Sequence, residues 1–169
     1  MRQFELDLGM KSTELIRLFA LDTSFIESQN FLAGRLLRNL GDMGRKNYVK
    51  IYITDIVYRE VLSRFAKRLL EEENKIISVK KTIESQIRVL KNFEDYAAYF
   101  TLPELDTAIL IDQFKKDFDE WISYADIKIL PTKGHTIEKV MNDYFEGNPP
   151  FSSAKKKSEF PDAFSFYAL

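Results

Sequence analysis

An α/β fold with a mainly parallel sheet is predicted by two observations. Short apolar segments rich in β-branched residues alternate with segments of helical period, and each strand-to-strand connection is long enough to hold a helix. Right-handed crossovers then set the strands side by side, and sites in such sheets form beyond the carboxyl ends of the strands. With 169 residues, 45% of them hydrophobic, the chain can build one domain with a core of its own, or one domain carrying an insertion.

The elements follow in order. Ile16 to Leu21 reads as a first strand, apolar enough to be covered on both faces, and it ends on Asp22, Thr23 and Ser24. A helix is expected over Ile26 to Gly44, with Leu32, Leu36 and Leu40 on one face and glycines to stop it. Val49 to Asp55 alternates Val49, Ile51 and Ile53 with Lys50 and Tyr52, a second strand. From Asp55 no Gly or Pro occurs until Pro103, and Ile76, Val79, Ile83, Ile87 and Leu90 step at the helical period. Leu110, Phe114, Phe118 and Trp121 repeat that period, so residues 56–123 read as a long helical hairpin with its turn at Thr101 to Pro103, inserted in a single domain spanning 1–169. Ala125 to Gly134 holds a third strand and its exit, and Thr136 to Phe145 a short amphipathic helix. Gly147 to Pro150 interrupts regular structure, a loop runs to Ser158, and a last helix begins near Pro161, where a missing N–H is harmless.

Composition removes most chemistries. There is no cysteine and one histidine, His135, which excludes disulfides, thiol catalysis and His-rich metal sites. Lys and Arg number 25 against 26 Asp and Glu, so attraction to a polyanion requires a local patch. No glycine pattern forms a phosphate loop or a nucleophile elbow, and Ser24 stands where a haloacid-type phosphatase needs its second acid. The absence of a signal-peptide core and of a membrane-length apolar run is the pattern of a cytoplasmic protein with no membrane contact.

Carboxylates at element ends remain: Asp22, Asp55, Glu60 and Asp162. Gathered together they would repel one another unless a hard cation such as Mg²⁺ or Mn²⁺ lay between them. Each also has an ordinary role. Asp22 is equally suited to cap the next helix, Asp55 reads as the cap of the helix from Ile56, Glu60 as an edge glutamate, and Asp162 as an acid favoured in a first helical turn. Lys155, Lys156 and Lys157 form a basic run near Asp162, while Arg59, Arg64, Lys67 and Arg68 crowd the helix of Glu60; both sets fit a phosphate backbone or plain solvation.

Taken together, "FALDTSFI", "TDIVYREVLSRF" and "EGNPPFSSAKKKSEFPDAFSFYAL" resemble the successive motifs of PIN-domain ribonucleases. The last segment resembles a bacterial branch joining a Gly-x-Pro-Pro segment, a lysine loop and an Asp-Ala at a helix start. The resemblance implies a three-layer α/β/α domain cleaving RNA, less often DNA, with Mg²⁺ or Mn²⁺, as in toxins and defence effectors. Asp22, Glu60 and Asp162 would hold the cation and orient a water for in-line attack. Thr23 or Ser24 would bind water or phosphate, with Arg59, Arg64 and the three lysines on the substrate. The family continues into a further strand with a fourth acid. Here the sequence stops at Leu169, so that strand is expected to be missing and apolar sheet surface to be left open. The alternative is a non-catalytic module that oligomerises or binds a protein partner through its hairpin.

Overall fold

A computed structural model describes residues 17–96, 104–151 and 159–168. Its order is β1 (Arg17–Ala20), α1 (Thr23–Ser28), a 3₁₀ turn (Phe31–Ala33), α2 (Arg35–Arg45), β2 (Val49–Thr54), α3 (Asp55–Gln86), a second 3₁₀ turn (Leu90–Asn92), α4 (Thr107–Tyr124), β3 (Lys128–Leu130), α5 (Gly134–Glu146) and α6 (Phe160–Ala168). The three strands are parallel in the order β1-β2-β3. Arg17 pairs with Val49, and Tyr52 pairs with both Ala20 and Lys128. This is an α/β fold.

β2 is central, and its alternation works as expected. Val49, Ile51 and Ile53 are each 1% exposed, packed with Leu37 of α2 and with Phe118 and Ile122 of α4. α2 approaches this layer closely, since a Cβ on Gly44 would stand 2.3 Å from the carbonyl oxygen of Ala125. A smaller cluster joins Val140 of α5, Phe151 and Ala163 of α6. Thr54 ties that side to the strands, its Oγ1 lying 3.0 Å from the Ser165 hydroxyl.

Several expectations change. β1 is not covered on both faces: among the described residues it is an edge strand, with Leu18 68% and Phe19 39% exposed. The single helix over 26–44 is broken into α1 and α2, because Asn30 and Phe31 both take left-handed backbone angles. That conformation is unfavourable for a bulky residue; here it turns the Phe31 ring into the core, edge-on to Phe65 at 5.2 Å and to Phe114 at 5.6 Å. The expected leucine face also shifts, with Leu37 buried and Leu36 exposed.

The long helical run ends at Gln86 rather than continuing toward Pro103, whose turn lies outside the described residues. The base of α3 runs antiparallel to α4. Phe65 stacks on Phe114 at 3.7 Å and Tyr58 on Phe118 at 5.6 Å, and the Tyr58 hydroxyl donates to Asp119 Oδ1 at 2.6 Å. This base therefore belongs to the main core. Further along, α3 exposes Leu70, Ile76, Ile77 and Val79.

Candidate active site

Asp22 lies immediately beyond the β1–β2 ladder, which the bond from Leu21 N to Tyr52 O (2.9 Å) extends past Ala20. It is the N-cap of α1: its Oδ2 accepts from the Ser24 backbone N–H at 3.1 Å and from the Ser24 hydroxyl. The cap therefore exists, built on an acid exposed to water at the strand's carboxyl end. Thr23, 1% exposed, points the other way, its hydroxyl donating to Glu60 Oε2 at 2.8 Å. That bond joins the strand-end segment to α3.

Glu60 is held on both oxygens. While Thr23 takes Oε2, Arg64 donates to Oε1 through Nε at 3.1 Å and Nη2 at 2.6 Å. Arg64 simultaneously donates from Nη1 to Glu27 Oε2 at 2.9 Å. Glu27 binds Arg68 through its other oxygen, at 2.9 and 2.7 Å. Bonding to Arg64 and then to Arg68 holds the Glu27 carboxyl below its ordinary pKa, and Glu27, then Glu60, raises that of Arg64. Arg64 is thus already shared by two carboxylates, whereas Arg59 on the next residue from Glu60 is exposed.

Asp162 enters from the first turn of α6. Its tip meets solvent, yet its pKa is raised, first by partial loss of water and then by the negative charges of Asp22, Glu159 and Glu60, with Arg64 acting in the opposite sense. The charges of Asp22 at β1's end and of Glu60 on α3 therefore both reach Asp162 on α6. Asp55 does not join them: its Oδ1 accepts from the Thr132 backbone at 3.1 Å and its hydroxyl at 2.6 Å, anchoring the exit from β3. Nor is Asp55 the cap of α3, since Thr54 accepts from Val57 N at 3.2 Å. Lys155, Lys156 and Lys157 lie outside the described residues. A cleft of about 330 Å³ is lined by Glu27, Arg64, Lys67 and Arg68, and so reaches Glu60's partner Arg64.

The donor set is all oxygen, which suits a hard divalent cation. Among the described residues, however, no three acids already stand in an arrangement that holds one. Thr23 and Arg64 already bond Glu60, so the chemistry of the donors fits a cation while Glu60 is shared with these two partners. Glu27 and Glu159 were not singled out in the sequence. The one available signal for Glu27 was the pair Arg64 and Arg68, a turn apart and in need of acidic partners.

No described helix is long and apolar enough to cross a membrane. Neither the curated proteins nor the solved structures contain a match to the chain. The family model for the PIN domain, a nuclease-type fold, matches residues 20–169, beginning just before Asp22 and taking in Glu60 and Asp162. Over nearly its whole length, then, the chain belongs to the PIN-domain family.

Proposed function

We propose that the protein is a metal-dependent endoribonuclease of the PIN type, in which Asp22, Glu60 and Asp162 hold Mg²⁺ or Mn²⁺. The observation that carries this reading is the nearness of acids from three separate elements, with the charges of Asp22 and Glu60 both reaching Asp162. A bound cation would neutralise charge developing on the phosphodiester and activate water for in-line attack. Asp22 is pre-set for this by its cap, which fixes the carboxylate at the sheet's edge. Thr23 orients Glu60, and Ser24 orients Asp22. Arg59, Arg64, Lys67 and the lysines 155–157 would flank the RNA backbone, the classes of contact that give affinity without sequence choice.

We place the protein in the bacterial branch with the Gly-x-Pro-Pro, lysine and Asp-Ala segment, as a cytoplasmic toxin or defence effector, with RNA preferred over DNA. A further strand on the edge of β1 that is unpaired among the described residues would give Leu18 and Phe19 neighbours on that side. The test is cleavage of RNA in Mn²⁺ by the wild type beside Asp22→Asn. The wild type is expected to cleave, and the variant to lose about 100-fold or more in rate, since even outer partners of a metal site are worth 10–100-fold. Equal rates in the two would refute the assignment.

A second reading is favoured by the distal half of α3, where Ile76, Ile77 and Val79 are 39%, 44% and 53% exposed. Such a stripe suits self-association or docking of a protein partner, with residues 56–123 as an insertion in one domain. Because Phe114 and Phe118 belong to the core, deleting the hairpin would destroy the fold. Ile76→Glu with Ile77→Glu is the cleaner probe: an unchanged mass in solution would remove the self-association form of this reading.

A further inference from the structure

We propose that Glu27 is a positioning residue of the acid site, acting through Arg64 to set how freely Glu60 can turn to a cation. This rests on the metal-dependent reading above and names a residue that lies outside its three acids. The Arg64 guanidinium is divided between Nη1 on Glu27 Oε2 (2.9 Å) and Nε with Nη2 on Glu60 Oε1 (3.1 and 2.6 Å). Glu27 is itself fixed, because Arg68 grips its remaining oxygen by two bonds and is backed by Glu71 at 3.4 Å. Thr23 and Glu27 are four residues apart on α1, so one face of that short helix holds both ends of the arrangement: Thr23 on Glu60 Oε2, Glu27 on the arginine that sits on Oε1. Glu27 and Arg64 also line one cleft together, and the Glu27 side chain is only 20% exposed.

The physical consequence has a definite sign. A cation recruited by Asp22 and Asp162 must compete with Arg64 for Glu60. Glu27 draws the guanidinium away from that carboxylate and lowers the competition. Without the Glu27 charge, Arg64 keeps its bonds to Glu60 and loses the pull in the other direction, and Arg68, without its two Glu27 bonds, adds positive charge nearby. Both changes weaken cation binding. An ordinary surface ion pair predicts something else, a small change in stability with metal affinity untouched.

The experiment is calorimetric titration of Mn²⁺ into the full chain as wild type, Glu27→Gln, Arg64→Gln and the double variant, with thermal unfolding in EDTA to verify folding. Glu27→Gln is expected to bind Mn²⁺ about tenfold more weakly, the lower end of the range for outer partners of metal ligands. Arg64→Gln is expected to bind at least as tightly as wild type, and the double variant to match Arg64→Gln, since the coupling passes through the arginine. Glu27→Asp keeps the charge but withdraws the carboxylate by one methylene; it too is expected to bind more weakly, and it carries the test if Glu27→Gln does not fold. Unchanged affinity in Glu27→Gln and Glu27→Asp overturns the proposal, as does an equal loss in both Arg64 backgrounds, which would mean charge at a distance. If the wild type itself binds no Mn²⁺, the metal-dependent reading falls and takes this one with it, an outcome distinct from binding that ignores Glu27.

Discussion

On the side of α3 that meets α4, Tyr58 and Phe65 lie against Phe114 and Phe118, and Trp121 continues the stack at 6.0 Å. On the side that meets α1, the same helix presents Glu60, Arg64 and Arg68, spaced by four residues, to Thr23 and Glu27, with Glu71 behind Arg68. One face excludes water and is closed by area and shape. The other is partly wet, with the Arg64 and Arg68 side chains 42% and 59% exposed, and is closed by charge and direction. Burial of rings stabilises whatever the ionic surroundings, whereas exposed ion pairs contribute little to stability but fix where each charge points. The same 32-residue helix therefore acts as a core element and as a holder for carboxylates.

The contrast can be broken from either face. Phe118→Ala, at a side chain with no exposure, should destabilise by about 3–5 kcal/mol in urea unfolding. A loss below about 1 kcal/mol would mean that the aromatic face does not hold the helix pair together. Tyr58→Phe keeps the ring and removes its bond to Asp119, which Lys115 still neutralises at 2.6 Å. About 1 kcal/mol should be lost, and burial and the Asp119 charge, which now raise the Tyr58 pKa, would no longer matter.

The polar face responds differently. Asp162 has a raised pKa in the folded chain, so its contribution is present below the ordinary value of 3.8 and is lost as pH rises through the higher folded value. At neutral pH Asp162→Asn should therefore raise the melting temperature in EDTA, while abolishing the further rise that Mn²⁺ gives the wild type. A lower melting temperature in EDTA would show that the acids do not strain one another. The smallest effect belongs to Glu27. Its lowered pKa gives stability above the ordinary 4.5 that fades as pH falls through the folded value. Glu27→Gln should flatten that part of the acid limb in a pH series of melting curves.

The sequence made β2 legible almost to the residue, because alternation of Val49, Ile51 and Ile53 with Lys50 and Tyr52 is a local signal. It misplaced the cover of β1, since an apolar run reads the same in an edge strand as in a central one. It missed the break at Asn30–Phe31 because the left-handed phenylalanine is held by Phe65 and Phe114, which lie far away in the chain. The same distance hid Glu27: its partnership with Arg64 and Arg68 depends on how α1 crosses α3. Asp22, Glu60 and Asp162 could be nominated because each stands at or near an element's end. Which partners hold them could not be nominated, because those bonds are tertiary.

The cap on Asp22 has an evolutionary corollary. Asparagine caps a helix as well as aspartate does, and its side-chain oxygen can accept the same bond from the Ser24 N–H. The two residues are also a single-nucleotide change apart. A lineage carrying this domain could therefore silence the proposed chemistry at little cost to folding, leaving a surface that still engages its partners, from which inert decoys or antagonists of the active form could arise.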